Sequence, residues 1–378
     1  MEETLYIEDF GPILKAELTI KPLMVFIGES GSGKSAILKL MSLLRWVHKR
    51  NNLRSYFIKN NLASPQDFAK SLSFQQLLEI SGLNEFINEN TFFSFAIGEY
   101  KYEGKGYQLK EPILKEPFSL DKVLFLSENR GVLPDIFAKN FNRDVDLPYY
   151  LEDTYTNFSK AMRAYRKGFE IQSTKLTLLE DEVLEGNPYF VLGKGRNTKE
   201  YKLKFENASS GTKTASFVEL IVAYHTKNYD FTEVLENQYK RLGMGRFEVK
   251  EWNGNKKLSI FIEEPELSLY PSAQRRLVNK LINDCFSFNK LDNTTVHLAF
   301  ATHSPYIINH LNLLINAYDK HNTHYTEGAA LSYENIGVWK VEEGVLKDLK
   351  AIDNRFIDVM DLSEDINEIY DNYEAINR

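Results

Sequence analysis

The run Gly28-Glu29-Ser30-Gly31-Ser32-Gly33-Lys34-Ser35 matches the pattern G-x-x-x-x-G-K-[ST] at every fixed position. Its flanks restrict the fold further. Leu23 to Ile27 reads as a short buried strand, and Lys34 to about His48 carries apolar residues at helical spacing. A strand, a glycine turn and a helix in this order make a cradle in which main-chain N–H groups and a helix N-terminus converge on an anion. In such a loop Gly28 to Gly33 wrap the phosphates, Lys34 neutralises the outer ones and the Ser35 hydroxyl holds Mg²⁺.

A chain of 378 residues can bury a large α/β core, as one domain with an insertion or as two to three units. Hydrophobic content of 43% and charged content of 26% are ordinary for a globular protein. A formal charge of −7 argues against a surface coated for DNA, yet a local basic groove would fit inside that total, so nucleic acid stays open. No apolar run reaches membrane-spanning length and no basic-then-apolar leader opens the chain, so a cytoplasmic protein without membrane contact is expected. Cys285, the only cysteine, has no intrachain disulfide partner and reads as a small core residue.

Leu5 to Ile13 and Leu14 to Ile20 read as two strands joined at Gly11-Pro12. Residues 51 to 98 give mixed signals, with Gln75-Gln76-Leu77-Leu78 in a short helix, and 99 to 117 suggest a hairpin. Val123 to Leu126 is a compact strand running into Ser127-Glu128-Asn129-Arg130, the kind of polar strand end where open α/β sheets place ligand groups. Tyr149 to Glu185 predicts a helical insertion ended by Asn187-Pro188, followed by a hairpin around Gly193-Lys194-Gly195. From Asp358 onward, Val359, Leu362, Ile366, Ile369 and Tyr370 mark an acidic amphipathic helix.

Leu258 to Ile262 forms a further buried strand ending in Glu263-Glu264-Pro265-Glu266. A carboxylate at such an end, beside a phosphate loop, holds Mg²⁺, and its neighbour orients and deprotonates the attacking water. Glu263 suits the metal and Glu264 the base, because neighbours on a strand point opposite ways. Val296 to Phe300 ends in Ala301-Thr302-His303-Ser304-Pro305, which puts His303 at the same sheet edge as a candidate γ-phosphate sensor. Ser209-Ser210-Gly211 precedes the helix Phe217 to Tyr224 and serves equally as an N-cap or as an anion site.

With these pieces in this order, the chain resembles the ABC-type ATPases of the SMC, Rad50 and RecF class, most of all the compact branch of OLD-like and anti-phage defence ATPases. The residues that carry the resemblance are Ile7 to Pro12, the loop Gly28 to Ser35, Ser209-Ser210-Gly211 as signature motif, Glu263 to Pro271 as Walker B plus D-loop, and His303 as switch histidine. The resemblance implies an α/β head with a mixed central sheet flanked by helices. It divides the chain into an N-terminal lobe at 1–145, a helical and hairpin insertion at 146–206, a C-terminal lobe at 207–350 and an acidic tail at 351–378. It further implies ATP and Mg²⁺ as cofactors, Lys34, Glu264 and His303 as catalytic residues, Ser35 and Glu263 as metal ligands, and a homodimer or larger homo-oligomer. In that assembly Ser209 to Gly211 of one copy close on the γ-phosphate held by another. Glu263 stands where the class uses aspartate, Ser210 and Thr212 depart from the transporter signature, and no Q-loop glutamine can be placed, with Gln75 and Gln76 as candidates beside Glu128-Asn129-Arg130.

The function implied is an ATP-hydrolysing sensor or switch that controls a separately encoded effector, a nuclease in anti-phage defence. An OLD-type or repair ATPase acting on DNA is the alternative. Its nuclease domain would have to fit after His303 around Asp358, Asp361 and Asp365, where too few residues remain. A transporter subunit is disfavoured by the altered signature and the helical insertion.

Overall fold

The computed structural model describes residues 2–68, 71–114, 119–138, 147–180, 189–195, 199–243, 254–287, 290–351 and 354–360, with 368, 371–373, 375 and 376 near the C-terminus. In chain order its elements are β1 (Glu3–Phe10), β2 (Ile13–Thr19), β3 (Leu23–Ile27), α1 (Lys34–Lys59), α2 (Phe74–Ile80), β4 (Phe92–Ile97), β5 (Tyr100–Lys105), β6 (Gln108–Lys110), β7 (Ser119–Leu126), α3 (Leu133–Ala138) and α4 (Tyr149–Ala164). There follow β8 (Phe169–Ile171), β9 (Leu176–Glu180), β10 (Tyr189–Lys194), β11 (Glu200–Lys204), α5 (Ser210–Lys227), α6 (Glu233–Arg241), β12 (Asn255–Glu263), α7 (Pro271–Phe286), β13 (Thr294–Thr302), α8 (Pro305–Asp319), β14 (Ile336–Glu342) and β15 (Val345–Asp348).

One mixed sheet runs in the order β6-β5-β4-β1-β2-β15-β14-β3-β13-β12-β7. The block β14-β3-β13-β12-β7 is parallel, and the N-terminal block β6-β5-β4-β1-β2 is antiparallel. Strands of a parallel block are covered on both faces, which explains why Leu23 to Ile27 is apolar without alternation. Leu23, Val25 and Ile27 join the core beneath α4, α5, α7 and α8, whereas Met24 and Phe26 join a second core built on α1. That second core also takes Leu5, Ile7, Phe93 and Phe95 from the antiparallel block, so α1 lies between the two halves of the sheet. The helix that follows the phosphate loop is thereby fixed on both sides.

Two expectations require correction. α1 continues past His48 to Lys59, because Leu53 and Phe57 carry its buried stripe on into the other core. The insertion is helical only to Ala164: Gly168, at φ 109°, breaks the helix, and Phe169 and Ile171 then bury alternate positions of a strand in a hairpin with β9. Residues 181–188 lie outside the described residues. β8 to β11 form a separate antiparallel sheet. Its β8–β9 turn is gripped by α5 and α7: the Glu219 carboxylate accepts from the Gln172 and Ser173 N–H groups at 2.7 and 3.0 Å, and Arg276 donates twice to the Ser173 carbonyl.

Of the acidic tail, Leu362, Ile366, Ile369 and Tyr370, like Asp361 and Asp365, lie outside the described residues. Cys285 is wholly buried in the core on α7, where burial pushes its thiol pKa up. No described helix is long and apolar enough to cross a membrane.

Candidate active site

Register aligns the C-terminal ends of four parallel strands. Ile27 pairs with Thr302, Ala301 with Glu263, and Ile262 with Leu126. The segments that leave those ends, 28–35, 303–304, 264–270 and 127–132, therefore issue from one edge of the sheet.

Lys34 opens α1 with its ammonium folded back over the loop, donating to the carbonyls of Gly28 at 2.8 Å and Glu29 at 2.6 Å. Burial lowers its pKa, while the charges of Glu264, Glu266 and Glu29 act the other way. Two glycines are dictated by space. A methyl on Gly28 would sit 2.4 Å from the Val341 carbonyl oxygen, and one on Gly33, at φ 106°, 2.5 Å from Ile13 Cδ1. Glu29, Ser30 and Gly31 are exposed on the outer side of the loop.

Ser35 and Glu263 meet beneath it, close enough for the serine hydroxyl to oppose the rise in the carboxylate's pKa. Glu263 is 2% exposed, accepts the Glu128 N–H at 3.3 Å and lies 3.9 Å from Lys39 Nζ. Burial raises its pKa, and Lys39 offsets this only in part. A buried carboxylate beside a hydroxyl is a hard-oxygen donor pair whose burial penalty a divalent cation relieves, which fits Mg²⁺. Among the described residues no three carboxylate, imidazole or thiol groups close a metal cage of their own. The remaining ligands of such an ion would be phosphate oxygens and water.

Glu264 points to the other corner, with Oε1 3.4 Å from His303 Nε2. Burial raises its pKa, and His303 works against that rise. Its backbone is left-handed at φ 41° although it is neither glycine nor free of a following proline, a conformation that costs about 1–3 kcal/mol. Two anchors hold it. The Glu264 N–H donates to the Ala301 carbonyl at 2.9 Å, and its carbonyl accepts from Arg130 Nη2 at 2.7 Å.

Arg130 is fully buried, and its guanidinium also donates to the carbonyls of Glu263 at 2.7 Å, Ser127 at 3.0 Å and Thr214 at 3.2 Å. Burial brings its pKa down to about 10, so it stays charged at neutral pH. Nearby, Glu266 Oε1 accepts from the Thr302 hydroxyl at 2.6 Å and the His303 N–H at 2.9 Å, fastening the β12–α7 loop to the histidine. Gln274 adds a second fastening, donating to the Leu269 carbonyl and accepting from the Ser304 hydroxyl.

Lys34, Ser35, Glu263, Glu264 and His303 are thus brought together, and Ser209-Ser210-Gly211 is not. Ser209 caps α5, accepting the Thr212 N–H at 3.3 Å. A methyl on Gly211 would sit 2.5 Å from the Ser268 carbonyl oxygen, and Thr214 Oγ1 donates to the Leu267 carbonyl. Among the described residues, the hydrogen bonds of this segment do not reach the phosphate loop. Gln76 closes a capping box with Ser73 at the start of α2, and exposed Gln75 faces Glu79, so both belong to that helix. The strand-end position is filled instead by Glu128 and Arg130. Sequence reasoning named Glu266 without a role and missed Gln274 and Lys39, whose partners are distant in the chain; for Arg130 the signal was its place directly after a buried strand.

Residues 122–309 match the family model described as "AAA domain, putative AbiEii toxin, Type IV TA system". No curated relative matches the chain. Among solved structures it is similar to the SMC head domain from Thermotoga maritima, at 10% identity and TM-score 0.40 over 92% of this chain and 97% of that one. A second is a structure titled the recombination mediator protein RecF-ATPrS in the RecFOR pathway, at 11% identity and TM-score 0.39 over 92% and 98%.

Proposed function

We propose that this chain, an ABC-type ATPase head of the SMC, Rad50 and RecF class in its fold, binds Mg²⁺–ATP at the β3–α1 loop and hydrolyses it with a second copy completing the site. The observation that carries the reading is the aligned register of β3, β13, β12 and β7, which brings the loop with Lys34, the carboxylates Glu263 and Glu264, and His303 to one edge. Gly28 to Gly33 would cradle the phosphates, with Lys34 moving from the loop carbonyls to the anionic oxygens. Ser35 and Glu263 would hold Mg²⁺, which neutralises charge on the leaving phosphates. Glu264, its pKa raised by burial and its carboxylate beside His303, is poised to take a proton from the attacking water.

With Ser209 and Ser210 exposed and, among the described residues, not hydrogen-bonded to their own phosphate loop, a trans role for the signature segment is supported, and with it a head-to-tail homodimer. The boundaries 1–145, 146–206, 207–350 and 351–378 are proposed on the same basis, with the 146–206 segment a mixed helix-and-sheet insertion. Control of a separately encoded effector and an anti-phage role both rest on the sequence resemblance.

The test is phosphate release by the purified chain, compared with Glu264→Gln. The substitution removes the base and keeps the shape, so ATP binding should persist while kcat falls on the order of a hundredfold or more. Equal rates would refute the assignment of Glu264, and no ATP binding by either protein would refute the function.

A further inference from the structure

Among the groups at the strand-end edge, Arg130 is the one whose role the proposed chemistry does not explain. Its side chain is 0% exposed, and its hydrogen bonds all end on main-chain carbonyls. Nη1 and Nη2 grip the carbonyls of Glu263 and Glu264, which belong to the two peptide planes on either side of the Glu264 Cα. Between them lie the two backbone torsions of Glu264. In an extended strand successive carbonyls point to opposite sides, and one guanidinium could not reach both. The left-handed turn at Glu264 swings them to the same side, where a planar fork spans them. Nε meanwhile holds the Thr214 carbonyl in α5, and Gly131 lets the two segments approach, since a methyl there would meet Thr214 Cγ2 at 3.1 Å.

We propose that Arg130 is a positioning residue: its guanidinium fork fixes the backbone of Glu264 in the left-handed turn that aims the carboxylate at the reaction, and ties that turn to the first turns of α5. This rests on the reading of Glu264 as base. Arg130 touches neither the phosphates nor the attacking water, so its loss should appear in kcat and not in nucleotide affinity. A lysine keeps the charge but has no planar fork with which to span two carbonyls.

The experiment is steady-state ATP hydrolysis and direct ATP binding by wild type, Arg130→Lys and Arg130→Gly, the last with and without millimolar guanidinium. The proposal expects kcat to fall on the order of a hundredfold in both variants, as for a misaimed catalytic group, with ATP affinity within about threefold of wild type. Guanidinium should restore part of the rate to Arg130→Gly, and methylammonium should not. Wild-type kcat in either variant, or a loss confined to ATP affinity, would overturn it. Should neither variant fold, Arg130→Gln carries the same readout, because a single amide cannot span the carbonyls of Glu263 and Glu264 as the planar fork does; a wild-type kcat there would overturn the proposal. If wild type itself fails to hydrolyse ATP, it is the ATPase reading that fails.

Discussion

Glu264 stands in a backbone conformation that an extended strand end would not adopt, and it is held there by hydrogen bonds on both sides of its Cα. Burial raises its pKa, so the pH profile of kcat should show an acid limb displaced above the usual carboxylate range. Activity would be present above that pKa and fall as pH drops through it. His303→Ala removes the charge that opposes this rise and should move the limb to higher pH; an unmoved limb would separate His303 from the base. Lys34→Ala is expected to weaken ATP binding about 10- to 100-fold in a titration, the scale of a lost charge-assisted hydrogen bond. The residues of this edge were legible in sequence because Lys34 and Ser35 close a fixed-spacing motif and Glu263, Glu264 and His303 end apolar runs. The ones that fasten them together were not, since Glu266 and Thr302, or Arg130 and Thr214, lie 36 and 84 residues apart. Local pattern carries no trace of such pairs.

At the level of elements, α1 and the β8–β9 hairpin illustrate two ways a segment is tied down. α1 buries polar side chains as well as apolar ones: Arg45 pairs with Glu3, and His48 Nδ1 lies 2.9 Å from the Tyr102 hydroxyl. Burial holds the His48 pKa down at about 3, so the folded state refuses a proton that the unfolded chain accepts near 6.5. The stability this imidazole contributes is complete above about pH 6.5 and is lost as pH falls toward 3. Glu3, held down at about 2 by Arg45 against the opposing pull of burial, adds to acid unfolding at still lower pH. Melting temperature should fall between pH 6.5 and 4 in wild type, and less steeply in His48→Gln, which keeps an acceptor for Tyr102 but does not titrate. At the hairpin, Glu219→Ala strands the buried Ser173 N–H and frees the more exposed Gln172 N–H, and should cost about 1–3 kcal/mol in denaturant unfolding. An unchanged midpoint would show that the hairpin is held by other contacts. The hairpin itself was misread as helix because Ala161, Met162, Tyr165 and Phe169 recur at helical spacing up to the start of β8. Gly168 was the visible clue.

For the whole molecule, the strand-loop-helix motif and the apolar runs announced an α/β sheet, and the register of the parallel block supplied what they could not: that separated ends share one edge. The placement of Ser209-Ser210-Gly211 was open between cap and anion site. In the fold it caps α5 and packs against the β12–α7 loop, and its proposed role at a phosphate is played toward another copy. The most direct measurement mixes two disabled heads. Lys34→Ala keeps the signature segment and loses the phosphate loop, while Ser210→Arg, at an exposed position, keeps the loop and blocks the segment. Each alone should be inactive, and an equal mixture should recover about a quarter of wild-type hydrolysis, because half the pairs are mixed and each has one intact composite site. Full activity of Ser210→Arg alone, or a mixture as inactive as its components, would contradict a site completed by a second copy.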